Sequence, residues 1–228
     1  MPAPQDSLTR RQKVEERERT ILAAAREAFL ELGYEGARMA DIASRAGIAE
    51  GTIYLYYKTK NELMHAFVAD FWDDLTRSAR LAVSETSDTF EALRQLATFH
   101  LSSLIERFDV VVLTQSAHVQ SQDLQDNRAF MRVYVSVFDS IWRRGIDRGD
   151  VRDDVEFWLV RDLFFGPLEY SARTIRLHPE RRLEDAVDQL IDVLKATHGK
   201  ARNQVAPQHN EVALLERLER AVEKLERQ

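Results

Sequence analysis

Between Gly51 and Leu63 the chain reads GTIYLYYKTKNEL, with three tyrosines in four positions and two lysines just beyond. Phenol hydroxyls and ammonium groups at this density suit hydrogen bonds and ion pairs to phosphate oxygens. If the segment is helical, Ile53 and Tyr57 lie four residues apart and share one face, which packs inward. Tyr54 and Tyr56 then point away from that face, and their hydroxyls can reach phosphates. Gly51 lets the backbone approach a phosphate closely. Thr52 offers a hydroxyl and a methyl group, and Lys60 opens the next segment as a further phosphate contact. The same residues also suit an ordinary half-buried helix, because tyrosine tolerates the boundary between core and water.

A second set of residues could serve a small ligand. Arg128 and Arg132 lie one helical turn apart, and Arg173 and Arg176 lie three residues apart. Either pair can clamp a phosphate, or stand solvated or paired with neighbouring carboxylates. Phe99, Phe108, Phe138, Trp142, Phe164, Phe165 and Tyr170 supply large apolar surface, which reads either as plain core or as the lining of a pocket. Catalytic chemistry has little support. There is no cysteine, and the six histidines are scattered without metal-ligand spacing. Neither a glycine-rich phosphate loop nor a serine elbow occurs. The expectation is therefore no enzyme, no catalytic residue, no metal and no cofactor.

The net charge of −6 argues against a nucleic-acid partner when taken alone. Its distribution matters more. Residues 1–65 hold ten Lys/Arg and ten Asp/Glu, so the acidity lies in the remainder. An anionic partner should meet the first quarter of the chain. No apolar run approaches the roughly 20 residues of a membrane span, and the polar N-terminus has no apolar signal core. A soluble, cytoplasmic protein without membrane contact is expected.

The elements that must position these residues are helices throughout. Ile21, Ala24, Ala25, Ala28, Phe29 and Leu32 repeat at helical spacing and stop at Gly33. A short helix over 39–46 stops at Gly47, and another spans about 50–57. Thr59 and Glu62 form a capping box that opens a long helix with Leu63, Phe67, Phe71 and Leu75 on one stripe. Further helices are predicted near 89–107, 109–121, 125–148, 154–177 and 180–197. Gly149 ends the third of these, Asp153 or Asp154 starts the fourth, and Pro167 should kink it. Residues 1–14 are expected to be a disordered arm, 15–61 a DNA-binding unit and 62–198 a larger domain. Residues 199–228 read as a linker and a charged amphipathic helix with Leu215, Leu218, Val222 and Leu225 along one seam.

Helix, glycine turn, helix over 39–57 is the layout of a helix-turn-helix, whose second helix enters the major groove. The stretch MADIASRAGIAEGTIYLYYKTKNEL resembles the DNA-binding segment of TetR-family transcriptional repressors. That resemblance implies an all-α fold, a DNA-binding unit followed by a ligand-binding and dimerisation domain, and a palindromic operator. It implies phosphate contacts at Tyr54, Tyr56 and Lys60, and places Thr52 and Leu55 where base edges are often read. The family commonly has a capping Thr where Arg38 stands; Arg38 cannot cap but can contact phosphate directly. The usual Ser before the recognition helix is Ala49 here.

One helix-turn-helix contacts only a few base pairs, so two are needed about one helical turn, roughly 34 Å, apart. A homodimer is implied. The stripes Leu183, Ala186, Val187, Leu190, Ile191, Leu194 and Phe157, Val160, Phe164, Leu168 are its candidate surface, or else face each protomer's own core. The segment from VVLTQSAHVQ through RRGIDRGDVRDDVEFWLVRDLFFGPLE resembles the acyl-CoA-responsive fatty-acid-degradation repressors within the TetR family. The implied function is a repressor released from double-stranded DNA by a small effector, a long-chain acyl-CoA. A multidrug or aromatic-compound sensor controlling efflux is the alternative. A helical enzyme or carrier with a vestigial DNA-binding unit is the alternative from another class.

Overall fold

The structure is a computed structural model that describes residues 9–83, 86–120 and 124–200, with side chains at all of these except 115–120 and 124–128. The linker and amphipathic tail expected beyond Lys200 lie outside the described residues, as does the seam from Leu215 to Leu225. Among the described residues the chain is all-α, in nine helices: α1 (Arg10–Gly36), α2 (Met39–Arg45), α3 (Glu50–Tyr56), α4 (Lys60–Ala82), α5 (Thr89–Glu106), α6 (Phe108–Gln120), α7 (Leu124–Arg148), α8 (Phe157–Leu177) and α9 (Leu183–His198).

The first helix corrects the expected arm. Residues 10–14 are helical, because Thr9 and Gln12 form a capping box: Gln12 N–H donates to Thr9 Oγ1 at 3.3 Å and Thr9 N–H to Gln12 Oε1 at 2.8 Å. Two orphan donors are satisfied there, and three exposed, charged turns can form ahead of the buried stripe that begins at Ile21. The helical run breaks at Gly33, whose φ of +70° lies in the left-handed region. Gly47, at φ +64°, makes the same reversal between α2 and α3. At α4 the capping expectation holds in half. Glu62 N–H donates to Thr59 Oγ1 at 3.1 Å, but the Glu62 carboxylate accepts from Lys58 N–H, one residue before the cap.

Two helices start later than their acidic residues suggest. Asp154 does not cap α8, because Arg152 holds its carboxylate with two donors at 2.8 and 2.6 Å; α8 starts after Glu156. A turn in which Arg181 N–H donates to His178 O delays α9 to Leu183, where Glu184 and Asp185 lie favourably in the first turn. Helix α8 runs through Pro167 as one element.

One hydrophobic cluster joins all of this. It runs from Ile21 and Phe29 of α1 through Ile53 and Phe67 to Phe138, Phe164 and Leu194. Helix α4 serves both parts of the chain: Phe67 meets Phe29 with ring centroids 6.2 Å apart, while Trp72 farther along meets Tyr134 of α7 at 5.6 Å. Burying a side chain such as Ile53, with no exposed surface, is worth about 1.5–3 kcal/mol. The two parts therefore cannot separate without exposing several such groups.

A glycine-bearing corner locks the C-terminal ends of α7 and α9 to the start of α5. Gly149 has φ +75° and turns the chain out of α7. Val151 is fully buried and bridges to Gly199, with Arg152 N–H donating to His198 O and Lys200 N–H to Asp150 O, both at 2.9 Å. Thr89 Oγ1 donates to Asp150 and accepts from Arg148, each at 2.7 Å. The spacing of Gly145, Gly149 and Val151 thus has a physical reason. A Cβ on Gly145 would lie 2.7 Å from Thr89 Cγ2 and 3.1 Å from Val151 Cγ2. Gly145→Ala should therefore lower unfolding stability by about 1–3 kcal/mol, as overpacking does. Chemical denaturation checks this, with no change in the denaturant slope expected.

Candidate functional site

Most of the DNA-binding candidates lie on α3, with Arg38 at the start of α2 and Lys60 at the start of α4. Ile53 of α3 and Tyr57 just after it are buried in the core, as the spacing requires. That leaves Gly51, Tyr54 and Leu55 exposed, Leu55 at 74 %, with Thr52 and Tyr56 half-buried beside them. Arg38 is exposed at the start of α2 and makes no side-chain cap, and Ala49 makes none at α3. Open space lies around the position of a Gly51 Cβ.

Lys60 departs from the expected role. Its ammonium donates to the carbonyls of Tyr34, Ala37 and Glu35 at 2.7, 3.1 and 3.2 Å, and lies 4.5 Å from the centre of the Tyr34 ring. An ammonium has three protons, and three carbonyls take them. Lys60 therefore fastens the end of α1 to the start of α4, and has no proton left for a phosphate. Lys58 likewise turns inward, donating to Tyr54 O at 2.9 Å at the end of α3.

A cavity of about 110 Å³ lies between α4, α5, α6, α7 and α8. Its walls are largely apolar: Phe71, Leu75, Leu104, Phe108, Val111, Val112, Met131 and Ala172. Glu169 and Arg173 of α8 stand at its edge. Partial burial raises the Glu169 pKa, and Arg173 opposes that shift. Arg176 lies over the Phe108 ring at 4.4 Å and donates to Ile105 O at 3.2 Å.

Of the expected ligand residues, the structure brings Phe108 and Arg173 to the cavity and Arg176 to its rim. It takes others elsewhere. Phe138, Trp142 and Phe164 are buried in the core: Phe138 stacks on Trp142 at 5.7 Å and meets Phe164 at 4.9 Å. Phe165 packs behind the cavity wall against His100 at 4.9 Å, and half-buried Phe99 packs on the core. Tyr170 is 74 % exposed on the opposite side of α8. Arg132 is exposed, and the side chain of Arg128 lies outside the described residues.

Sequence reasoning missed three polar groups of this region. Trp72 and His100 line the cavity, and Tyr134 bonds His100 Nδ1 at 2.8 Å. Burial pushes the His100 pKa down to about 4 and raises that of Tyr134, so both are neutral near pH 7. A signal was available. His100 occupies an inward position in the run Leu93, Leu96, Ala97, His100, Leu101, where the period asks for an apolar residue.

The cavity also shares a wall with the DNA-binding part. Phe108 and Val112 line it, and both line a groove against Phe29, Leu30, Leu32, Gly33 and Tyr34 at the end of α1. A second groove runs between α8 and α9. It is lined by exposed Leu163, Pro167 and Tyr170 on α8 and Val193 on α9, with Ala186 and Leu190 half-buried between them. The stripes expected to pair two protomers lie mostly on the other side. Val160, Phe164, Leu168, Val187, Ile191 and Leu194 are buried in the protomer's own core.

Comparisons with known proteins converge on the same chain organisation. Residues 21–67 match the model of bacterial regulatory proteins of the tetR family, and residues 64–177 match the YsiA-like C-terminal region. The fatty acid metabolism regulator protein of Bacillus subtilis is 27 % identical over 156 residues, covering 68 % of this chain and 80 % of that protein. The HTH-type transcriptional repressor KstR2 of Mycobacterium tuberculosis is 26 % identical over 157 residues, covering 66 % and 78 %. The crystal structure of FadR from Bacillus subtilis in complex with stearoyl-CoA shares the fold, with a TM-score of 0.65 at 24 % identity over 77 % of this chain and 96 % of that one. With its helix-turn-helix face and its helical second part each matched in turn, the chain belongs to the TetR family of transcriptional regulators.

Proposed function

We propose that the protein is a homodimeric repressor that binds a palindromic operator and is released by a long-chain acyl-CoA. The observation that carries the reading is the wall formed by Phe108 and Val112, which has the effector cavity on one side and the end of α1 on the other. The similarity to a fatty acid metabolism regulator and to an acyl-CoA complex supports the choice of effector.

The coupling follows from packing. A cavity of about 110 Å³ is below the roughly 300–1,000 Å³ typical of ligand pockets. An acyl chain must therefore enlarge it, and interiors are too dense to absorb the extra volume locally. The first turns of α6 are displaced against α1. Lys60 ties the end of α1 to α4, so α1, α2 and α3 respond together. The effector acts through its greater affinity for the displaced state. Arg173 and Arg176, with Arg132 and Arg128 of α7, are the candidates for the phosphates of the coenzyme.

Dimerisation is proposed through the outward faces of α8 and α9. Leu159, Leu163, Tyr170 and Leu177 repeat along one side of α8 and are exposed, as are Trp158 and Val193. Contiguous apolar exposure of this kind marks an association surface. A second reading has one observation in its favour. The cavity as it stands is nearer in size to a single aromatic ring than to an acyl chain, as an aromatic-compound sensor would have it.

Arg38→Ala should lower the salt slope of operator binding by about one phosphate contact. Tyr54→Phe should weaken binding similarly for all operator variants, and changes at Thr52 should alter which operator is preferred. Lys60→Met should instead lower thermal stability by about 1.5–3 kcal/mol, the usual worth of hydrogen bonds from a charged group, and leave the salt slope unchanged. Fluorescence anisotropy across a salt series and thermal melts separate these outcomes.

Release of the operator complex should become more sensitive as acyl-CoA chains lengthen, by about 0.8 kcal/mol per buried methylene until the cavity is full. Free CoA should be inert. Insensitivity at every length, with release by an aromatic compound, would select the second reading. Trp142, expected among the ligand residues, is buried away from the cavity; Trp72 lines it and should report binding.

A further inference from the structure

Two residues of the apolar cavity wall carry polar atoms that the surroundings leave unmatched. Trp72 Nε1 and His100 Nε2 are both buried, and among the described residues neither has a hydrogen-bond partner. Buried donors without partners are rare and costly, so each calls for an explanation. Both side chains line the same cavity, and both rings pack on Tyr134 with centroids 5.6 Å away.

The protonation of His100 follows from Tyr134. The phenol oxygen lies 2.8 Å from Nδ1. Tyr134 is buried and has no other hydrogen-bond partner among the described residues, so its proton is satisfied only by donation to Nδ1. The neutral imidazole then carries its own proton on Nε2. The opposite tautomer would strand the phenolic proton. Burial keeps the ring neutral near pH 7 by pushing its pKa down to about 4. The cavity wall therefore carries two unmatched N–H donors, one on a residue of α4 and one on a residue of α5.

We propose that Trp72 and His100 form a carbonyl-recognition site, in which the indole and imidazole N–H groups donate to one oxygen of a largely apolar ligand. A carbonyl oxygen has two lone pairs and no proton, which matches two donors. A hydroxyl would bring a proton of its own to be satisfied. A saturated chain alone would leave both donors unmet. The inference deepens the effector reading and rests on it for one point only: a thioester is one source of such a carbonyl, and a keto group within another apolar ligand is the other.

Two ligand pairs test this on the full chain. Acetophenone and ethylbenzene are nearly equal in size and differ in the carbonyl. Acetophenone should bind about ten- to a hundred-fold more tightly and should move the Trp72 indole ¹⁵N–¹H resonance downfield, whereas ethylbenzene should not. Trp72→Phe, which removes the donor and keeps an aromatic ring, assigns the resonance and should abolish the preference. If that variant fails to fold, Trp142→Phe and Trp158→Phe assign the resonance by elimination. Equal binding of the two compounds, or an unmoved Trp72 resonance at saturation with acetophenone, overturns the inference. Dodecanoyl-CoA and S-dodecyl-CoA then identify the source. A thioether at least about ten-fold weaker in releasing operator places the thioester carbonyl between the donors. Equal release assigns the site to a keto group of a different ligand. Release by neither, with the acetophenone response intact, leaves the carbonyl site standing and removes the acyl-CoA reading.

Discussion

Phe108 and Val112 each border two spaces, and the proposed coupling depends on that. Both stand in the wall of an internal cavity, and both line the groove against the end of α1. In the proposed coupling, these shared side chains carry a change on one side to the other. Arg176 adds to the constraint by lying on the Phe108 ring while bonding Ile105 O, at the junction of α5 and α6. On the far side of the wall, the end of α1 is no loose chain. Three of its carbonyls are gathered by the Lys60 ammonium. In the proposed coupling, volume added on one side becomes displacement of the three-helix unit on the other. The coupling needs no long chain of residues, because the two grooves share the same side chains.

Much of this was legible in the sequence because it rests on local rules. The turn at Gly47 and the inward pair Ile53 and Tyr57 follow from backbone preference and helical period, and the structure bears both out; at Gly33 the helix breaks, but a further turn carries α1 to Gly36. The Gly145, Gly149, Val151 spacing was recognisable, although its reason, a close approach to Thr89 and a bridge to Gly199, needed the packed chain. Thr9 and Gln12 carried a readable capping signature, so the helical start at Arg10 was in principle available.

What the sequence could not supply was the partner of each long or aromatic side chain. Lys60 suits a phosphate as well as three carbonyls, and only the fold decides which lies within reach. Phe138, Trp142 and Phe164 have the same period whether they line a cavity or close a core; the structure stacks them on one another in the core. The buried faces of α8 and α9 show the same ambiguity, since two apolar rows run along α8 and only one can face inward. His100 was the opposite case, an unusual residue at a core position whose meaning depended on Tyr134, thirty-four positions away.

The most direct test of the coupling uses the absence of cysteine from the chain. Ser44 is exposed on α2. In the proposed dimer, spin labels on Ser44→Cys report the separation of the two DNA-binding units by pulsed dipolar spectroscopy. The account predicts that saturating dodecanoyl-CoA moves the distance distribution to a new, single maximum as the operator is released. Release of the operator with an unchanged distribution would contradict it.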